Sequence, residues 1–363
     1  MSLPRLVHLY VNPSAECNLA CAHCWIAPAR SAPGFRCRER KADEFPPGAF
    51  RRLLDEAVEL GLARVKFTGS EPLLREDFPE LHLAAAAVTD PGGVDVETNG
   101  TLEPPGLWEA FGSNPPGVVS VSLDSADPAT HDGFRGAPGA WARSRAFVER
   151  LVRAGIRTQI IMSVAEPEVE PVIRMASLCG DLGVSGLKVN PVQPIGRGLG
   201  FGGPRERAAP LIAFAARLFE VLGPRSSVDV PPAFVPLGRL GTQPGCPLLH
   251  LLGILPDGGV SLCGIGFTCP SLVMGNLHRD SLRDIWRSAP ILERLRTEIP
   301  GRLEGICADC IHRASCMGKC VMQGTGSSGS FTTPFWLCAE ADREGLFPPS
   351  RRTGGHAPLA AQG

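Results

Sequence analysis

The sequence predicts an α/β protein: a partial (β/α)6 parallel barrel followed by a small cysteine-rich α+β domain. Three observations predict it. Short Val- and Ile-rich runs alternate with amphipathic helical segments through the first half of the chain. Polar residues suited to binding stand at the ends of those runs. Eight cysteines crowd into the 93 residues from 246 to 338, where the composition changes.

The candidate strands are RLVHLYV (5–11), RVKFTG (64–69), VDVETNG (94–100), VVSVSLD (118–124), RTQIIMSV (157–164) and GLKVNPV (186–192). Most end at Gly, Asn, Asp or Ser. Apolar runs of this length suit strands buried on both faces, as in a parallel sheet. Between them, 46–61 places Phe50, Leu53, Leu54, Ala57 and Leu60 on one helical face and stops at Gly61. Segments 140–155, with Phe147, Leu151 and Val152, and 170–183 read the same way. Strand–helix units in series build a right-handed parallel layer, and such layers gather ligands at the C-terminal ends of their strands.

That rule places one polar cluster after each strand: a three-cysteine loop after the first, TGSEP (68–72) after the second and TNG (98–100) after the third. SLDS (122–125) follows the fourth, and Ser163 and Asn190 end the fifth and sixth. The barrel is expected over 1–205 and a bridging helix (211–223) with a Pro-rich linker over 206–245. The cysteine-rich domain is expected over 246–345, with a hairpin signal at 255–260, and a disordered tail over 346–363.

Composition excludes several classes. Thirty-six basic residues against 37 acidic ones leave a net charge of -1, without the basic surplus that draws proteins to nucleic acid or anionic lipid. No apolar run approaches a membrane span, and the N-terminus lacks a signal peptide's basic and apolar regions. A cytoplasmic protein is expected, where thiols stay reduced. Thirteen cysteines there point to metal or redox chemistry rather than disulfides.

Cys17, Cys21 and Cys24 are spaced C-x3-C-x2-C. Thiolates at this spacing suit a soft metal, either zinc or an iron–sulfur cluster. His23, set between two of the cysteines, is a poor fourth ligand. A centre held by three thiolates keeps one coordination position open, as reactive metal centres do.

This loop, followed by the aromatic Trp25 and placed after the first strand of an α/β barrel, resembles the signature of the radical S-adenosylmethionine (radical SAM) enzymes. The resemblance implies a [4Fe–4S] cluster on Cys17, Cys21 and Cys24, with S-adenosylmethionine (SAM) chelating the open iron. It also implies reductive cleavage of SAM to a 5′-deoxyadenosyl radical that abstracts hydrogen. TGSEP resembles the motif that receives the SAM amino group, through Thr68, Gly69, Ser70 and Glu71, with Ser70 replacing the usual second glycine. Asn99 and Trp25 join the implied cofactor contacts. Ser122 and Asp124 are implied to contact the carboxylate or ribose, and Arg135 to counter the SAM carboxylate. Ser163 and Asn190 are implied at the ribose and adenine.

The second cysteine group runs Cys246, Gly258, Cys263, then Cys307, Cys310, Cys316 and Cys320 at C-x2-C-x5-C-x3-C, and finally Cys338. It resembles the SPASM domain, which carries two auxiliary iron–sulfur clusters. The resemblance implies Cys307, Cys310, Cys316 and Cys338 on the second auxiliary [4Fe–4S] cluster, and Cys246, Cys263 and Cys320 on the first. Either Cys269 completes the first set or that site is open to a substrate thiolate. A pair of zinc sites is the competing reading of the same spacing. Cys179, on a helix's apolar face, reads as a buried hydrophobe, and Cys37 as a bystander near the cluster loop.

The resemblance further implies a peptide substrate and a net oxidation. The expected reaction is a thioether (C–S) or C–C cross-link in a ribosomally made peptide. The alternatives are formylglycine formation as in sulfatase maturases, and a peptide epimerase or small-molecule dehydrogenase. Only 16 residues precede Cys17, so no leader-binding module is expected in this chain; either a separate leader-binding protein fills that role, or the barrel and tail suffice, or the substrate is not a leader peptide. A flavodoxin- or ferredoxin-like electron donor is the other expected partner.

Overall fold

The computed structural model describes residues 3–26, 45–242, 245–321 and 329–354. Seven parallel strands run β1 (His8–Val11), β2 (Arg64–Phe67), β3 (Val94–Thr98), β4 (Val118–Ser122), β5 (Thr158–Val164), β6 (Gly186–Pro191) and β7 (Ser226–Val228), neighbours in sequence being neighbours in the sheet. Helices cross between them: α1 (Pro47–Leu60), α2 (Phe78–Ala86), α3 (Leu107–Ser113), α4 (Pro128–Arg135), α5 (Ala140–Arg153), α6 (Val169–Leu182) and α7 (Pro204–Val221). Helix α1 ends where the sequence predicts, with Gly61 in the left-handed region at φ 101° capping its last turn.

The strands are not apolar on both faces. Leu9, Val11, Val65, Phe67, Val94, Val96, Val119, Val121, Ile160, Met162, Leu187 and Val189 are buried in the main apolar core, with the buried faces of the helices. The residues between them, including Tyr10, Lys66, Glu97, Ser120, Gln159 and Lys188, take the concave face. The period is therefore two, and the polar half of each strand forms the lumen.

Two further expectations change. The stretch after residue 223 is not only a linker: Ser226–Val228 adds β7 beside β6. Beyond residue 246, β8 (Leu251–Ile254) pairs in parallel with β1, and β9 (Gly259–Ser261) and β10 (Val273–Asn276) extend from it antiparallel. One ten-stranded sheet, β10-β9-β8-β1-β2-β3-β4-β5-β6-β7, thus spans both halves of the chain. The start of the expected disordered tail is packed. Phe347 is buried, and the Arg351 guanidinium donates to the Ala233 and Val235 carbonyls. Residues 355–363 lie outside the described residues, as does Cys37.

Candidate active site and cysteine-lined cavities

A cavity of about 990 Å3 of free space, partly open to solvent, lies over the C-terminal ends of the strands. Cys17, Cys21, Cys24 and Trp25 line it from the loop after β1, and Thr68, Gly69 and Ser70 from the loop after β2. Asn99, Ser122, Ser163 and Asn190 follow from β3 to β6, with Arg135 from α4. Gly69 has φ 102°, and a Cβ there would fall 2.0 Å from Asn12 Oδ1, so only glycine lets this loop pass.

Glu71 and Asp124 stand behind the cavity rather than on it. The Glu71 carboxylate accepts from Leu73 N, Thr98 Oγ1 and Asn99 N at 2.6–3.0 Å. Burial pushes its pKa up, against those hydrogen bonds. Its oxygens tie the TGSEP loop to β3. Asp124 forms a two-pronged pair with Arg135 (2.5 and 2.9 Å) and accepts from Ser163 N. Burial alone would raise the Asp124 pKa, but Arg135 holds it below the usual carboxylate range. The Arg135 charge is thereby matched by Asp124, and its Nη1 donates to Cys21 Sγ at 3.6 Å. The implied contact with the SAM carboxylate is therefore not the arginine's only role.

Sequence reading missed several groups here. His23 stacks on Phe134 with centroids 4.3 Å apart, and burial lowers its pKa to about 4. Glu97 and Lys188 also line the cavity. Burial would raise the Glu97 pKa, but the ammonium groups of Lys66 and Lys188, with hydrogen bonds from Lys66 and Thr68, hold it at about 2. The available signal was the alternation of charged with apolar residues in RVKF, VDVET and GLKVNP.

The residues fit the implied cofactors. Burial pushes the Cys17 thiol up to about 12, so a thiolate there needs a cationic centre beside it. Among the described residues the buried Asn190 Oδ1 has no hydrogen-bond partner. A second cavity, of about 320 Å3 of free space, is lined by Cys307, Cys310, Cys316 and Cys338 among apolar neighbours such as Leu303, Ile306 and Phe347. Burial pushes the Cys307 thiol up to about 11. Among the described residues no three Cys, His, Asp or Glu side chains are gathered tightly enough for one metal ion. The thiols instead surround spaces suited to a larger body.

The remaining group is looser. Cys246 lies within electrostatic reach of Cys320, and both Cys246 and Cys263 act on Tyr10. The Cys269 thiol sits 3.2 Å from the Ser271 hydroxyl. Cys179 is buried in the core.

Among the described residues no helix is long and apolar enough to cross a membrane. Residues 11–178 match the radical SAM superfamily, and residues 246–311 match the iron-sulfur cluster-binding domain SPASM. The AdoMet-dependent heme synthase of Methanosarcina barkeri is 29% identical over 351 residues, 90% of this chain and 94% of the relative. The PqqA peptide cyclase of Xanthomonas campestris is 25% identical over 367 residues, 96% of this chain and 93% of the relative. In fold, the chain is similar to Streptococcus suis SuiB bound to precursor peptide SuiA, at TM-score 0.68 and 17% identity, covering 92% of this chain and 75% of SuiB. The chain belongs to the radical SAM superfamily and carries a SPASM domain, so it is an enzyme whose cofactors are SAM, a [4Fe–4S] cluster and auxiliary iron–sulfur clusters.

Proposed function

We propose that this enzyme oxidises a peptide, installing a C–S or C–C cross-link with net loss of two hydrogens. The observation that supports the reading is the pairing of two cavities: a larger one walled by three cysteines and a smaller one walled by four. Bound SAM and its cluster supply a 5′-deoxyadenosyl radical that takes one hydrogen atom. The oxidation releases one further electron and one proton; a cluster held by the cysteines of the second cavity would take the electron, and the proton would pass to solvent. Cys17, Cys21 and Cys24 would hold the SAM cluster, and Cys307, Cys310, Cys316 and Cys338 an auxiliary one. Cys246, Cys263 and Cys320 would hold the other, either completed by Cys269 or left open to a substrate thiolate.

Around SAM, Gly69 gives backbone access, Trp25 and Ile26 form an apolar wall, and Ser122, Ser163 and Asn190 offer hydrogen bonds. Lys319 stands between the cysteine groups. Its ammonium pairs with Asp229 at 2.6 Å, and it lies within electrostatic reach of both Cys316 and Cys246. Peptide chemistry in PqqA peptide cyclase and in peptide-bound SuiB supports the substrate class. A flavodoxin- or ferredoxin-like protein would supply the reducing electron, and a separate leader-binding protein would present the peptide.

The test is anaerobic incubation of reconstituted enzyme with SAM, dithionite and peptides encoded by neighbouring reading frames. The expected result is 5′-deoxyadenosine together with a peptide lighter by two hydrogens. Release of 5′-deoxyadenosine with every peptide mass unchanged would overturn cross-linking. An aldehyde at a Cys or Ser would indicate the formylglycine reaction, and solvent deuterium at Cα would indicate epimerisation. The likeness to a heme synthase supports a second reading, oxidation of a tetrapyrrole, which the same assay detects with an iron porphyrin as substrate.

A further inference from the structure

Three lysines and two carboxylates meet in and around the barrel lumen. Lys66 Nζ donates to Glu97 at 2.7 Å, and Thr68 Oγ1 donates to the same carboxylate at 2.7 Å. Lys319 is matched with Asp229. The remaining lysine is Lys188 on β6, in register with Ile161 of β5 and Ser227 of β7. Its charge acts on both Glu97 and Asp229. Among the described residues, however, the Lys188 ammonium makes no hydrogen bond and no ion pair.

Lys188 lines the SAM cavity two residues before Asn190, on the same face of the same strand. An ammonium carries three donors and no acceptor. Glu97 and Asp229 are each hydrogen-bonded to another lysine, so within this cluster Lys188 is the ammonium without a direct ion pair. A carboxylate would match that charge and accept its hydrogen bonds. A neutral carbonyl would accept a hydrogen bond but leave the ammonium without an ion pair.

We propose that Lys188 anchors a carboxylate of the substrate, borne by an acidic side chain or C-terminus of a peptide or by a tetrapyrrole propionate. The proposal rests on reading this cavity as the substrate's entry to the SAM site. Held there, the substrate lies against the wall formed by Ile161 and Asn190, and the ammonium governs which substrates enter.

The test uses the cluster-loaded, SAM-bound enzyme, as wild type and as Lys188→Met and Lys188→Arg. One arm selects a displayed random-peptide library by binding and sequences the survivors. The other follows the Soret band on titration with coproporphyrin III and with its tetramethyl ester. Wild type and Lys188→Arg should enrich Asp, Glu or a free C-terminus, or bind the free acid over the ester. Lys188→Met should lose that preference with about thirtyfold weaker binding, as expected when one charge of a buried pair is removed. Its SAM affinity should stay within a few-fold of wild type.

Binding blind to carboxylates in both arms, or a preference that survives in Lys188→Met, would overturn the anchor. A parallel loss of SAM affinity in Lys188→Met would assign the ammonium to the SAM carboxylate and overturn it too. Porphyrin binding without peptide binding would leave the anchor standing while removing the peptide reading. Peptide selection indifferent to residue 188 would do the reverse.

Discussion

The cavity over the strand ends is walled by three thiols together with hydroxyl, amide and charged side chains. The cavity lined by Cys338 sets four thiols among Pro231, Ala233, Leu303, Ile306 and Phe347. In the first, among the described residues, the Asn190 amide oxygen makes no hydrogen bond and the Lys188 ammonium no direct ion pair. In the second, His312 and Arg313 join the apolar and thiol walls, and the buried His312 Nε2 likewise makes no hydrogen bond among the described residues. The difference teaches how one chain separates two uses of the same ligand. Three cysteines in the larger, more polar cavity leave a coordination position for a reacting molecule, whereas four in the smaller one can supply a full ligand set.

The largest expected effect separates the two directly. Cys21→Ala should reduce 5′-deoxyadenosine formation to background by chromatography. Cys338→Ala should keep SAM cleavage while losing about four Fe per chain, one cluster's worth. Equal loss of SAM cleavage in both variants would break the division.

Next comes the charge pair that braces the open cavity. Arg135→Gln leaves Asp124 buried without its counter-charge, which should cost about 3–5 kcal/mol in denaturant unfolding. The same change at the exposed Arg313, beside the four-cysteine cavity, should stay within about 0.5 kcal/mol.

His131 sharpens the contrast through pH. Its Nδ1 accepts from Asp124 N, and burial lowers its pKa from 6.5 to about 4. The neutral ring's contribution is complete above pH 6.5 and is lost as pH falls toward 4. Wild type should therefore lose roughly 2 kcal/mol more than His131→Gln between about pH 7 and 4.5, measured by unfolding at each pH.

The smallest effect lies beside the four-cysteine cavity. Met317 and Lys319 have φ of 52° and 62°, flanking Gly318 at 82°. Met317→Gly should change stability by less than about 1 kcal/mol, since relief of the left-handed backbone is offset by losing a partly buried side chain packed on the core. Lys319→Gly should destabilise more, because it strips Asp229 of its ammonium.

The cysteine loops, the strand order and the glycine-capped helix α1 were legible because each depends on spacing within a few residues. The roles of Glu71 and Asp124 were not. A carboxylate in a binding motif reads the same whether it faces a ligand or, as here, three backbone and side-chain donors. The lumen charges were hidden for a related reason. Lys66, Glu97 and Lys188 are single polar residues in apolar strands, and only strand pairing brings them together. The tail beyond 346 carries too little apolar residue to predict packing, yet Arg351 finds two carbonyls left by the segment around Ala233.

By itself, then, the sequence determined the cysteine-bearing loops, their family and the parallel α/β plan, since these follow from local residue chemistry and periodicity. Tertiary structure alone decided that β8 pairs with β1, that Arg135 serves Asp124 and Cys21, and that Lys188, among the described lysines, stands beside two carboxylates without a direct ion pair. Electrostatic matching depends on distances between residues far apart in the chain, and no pattern within one segment encodes those distances.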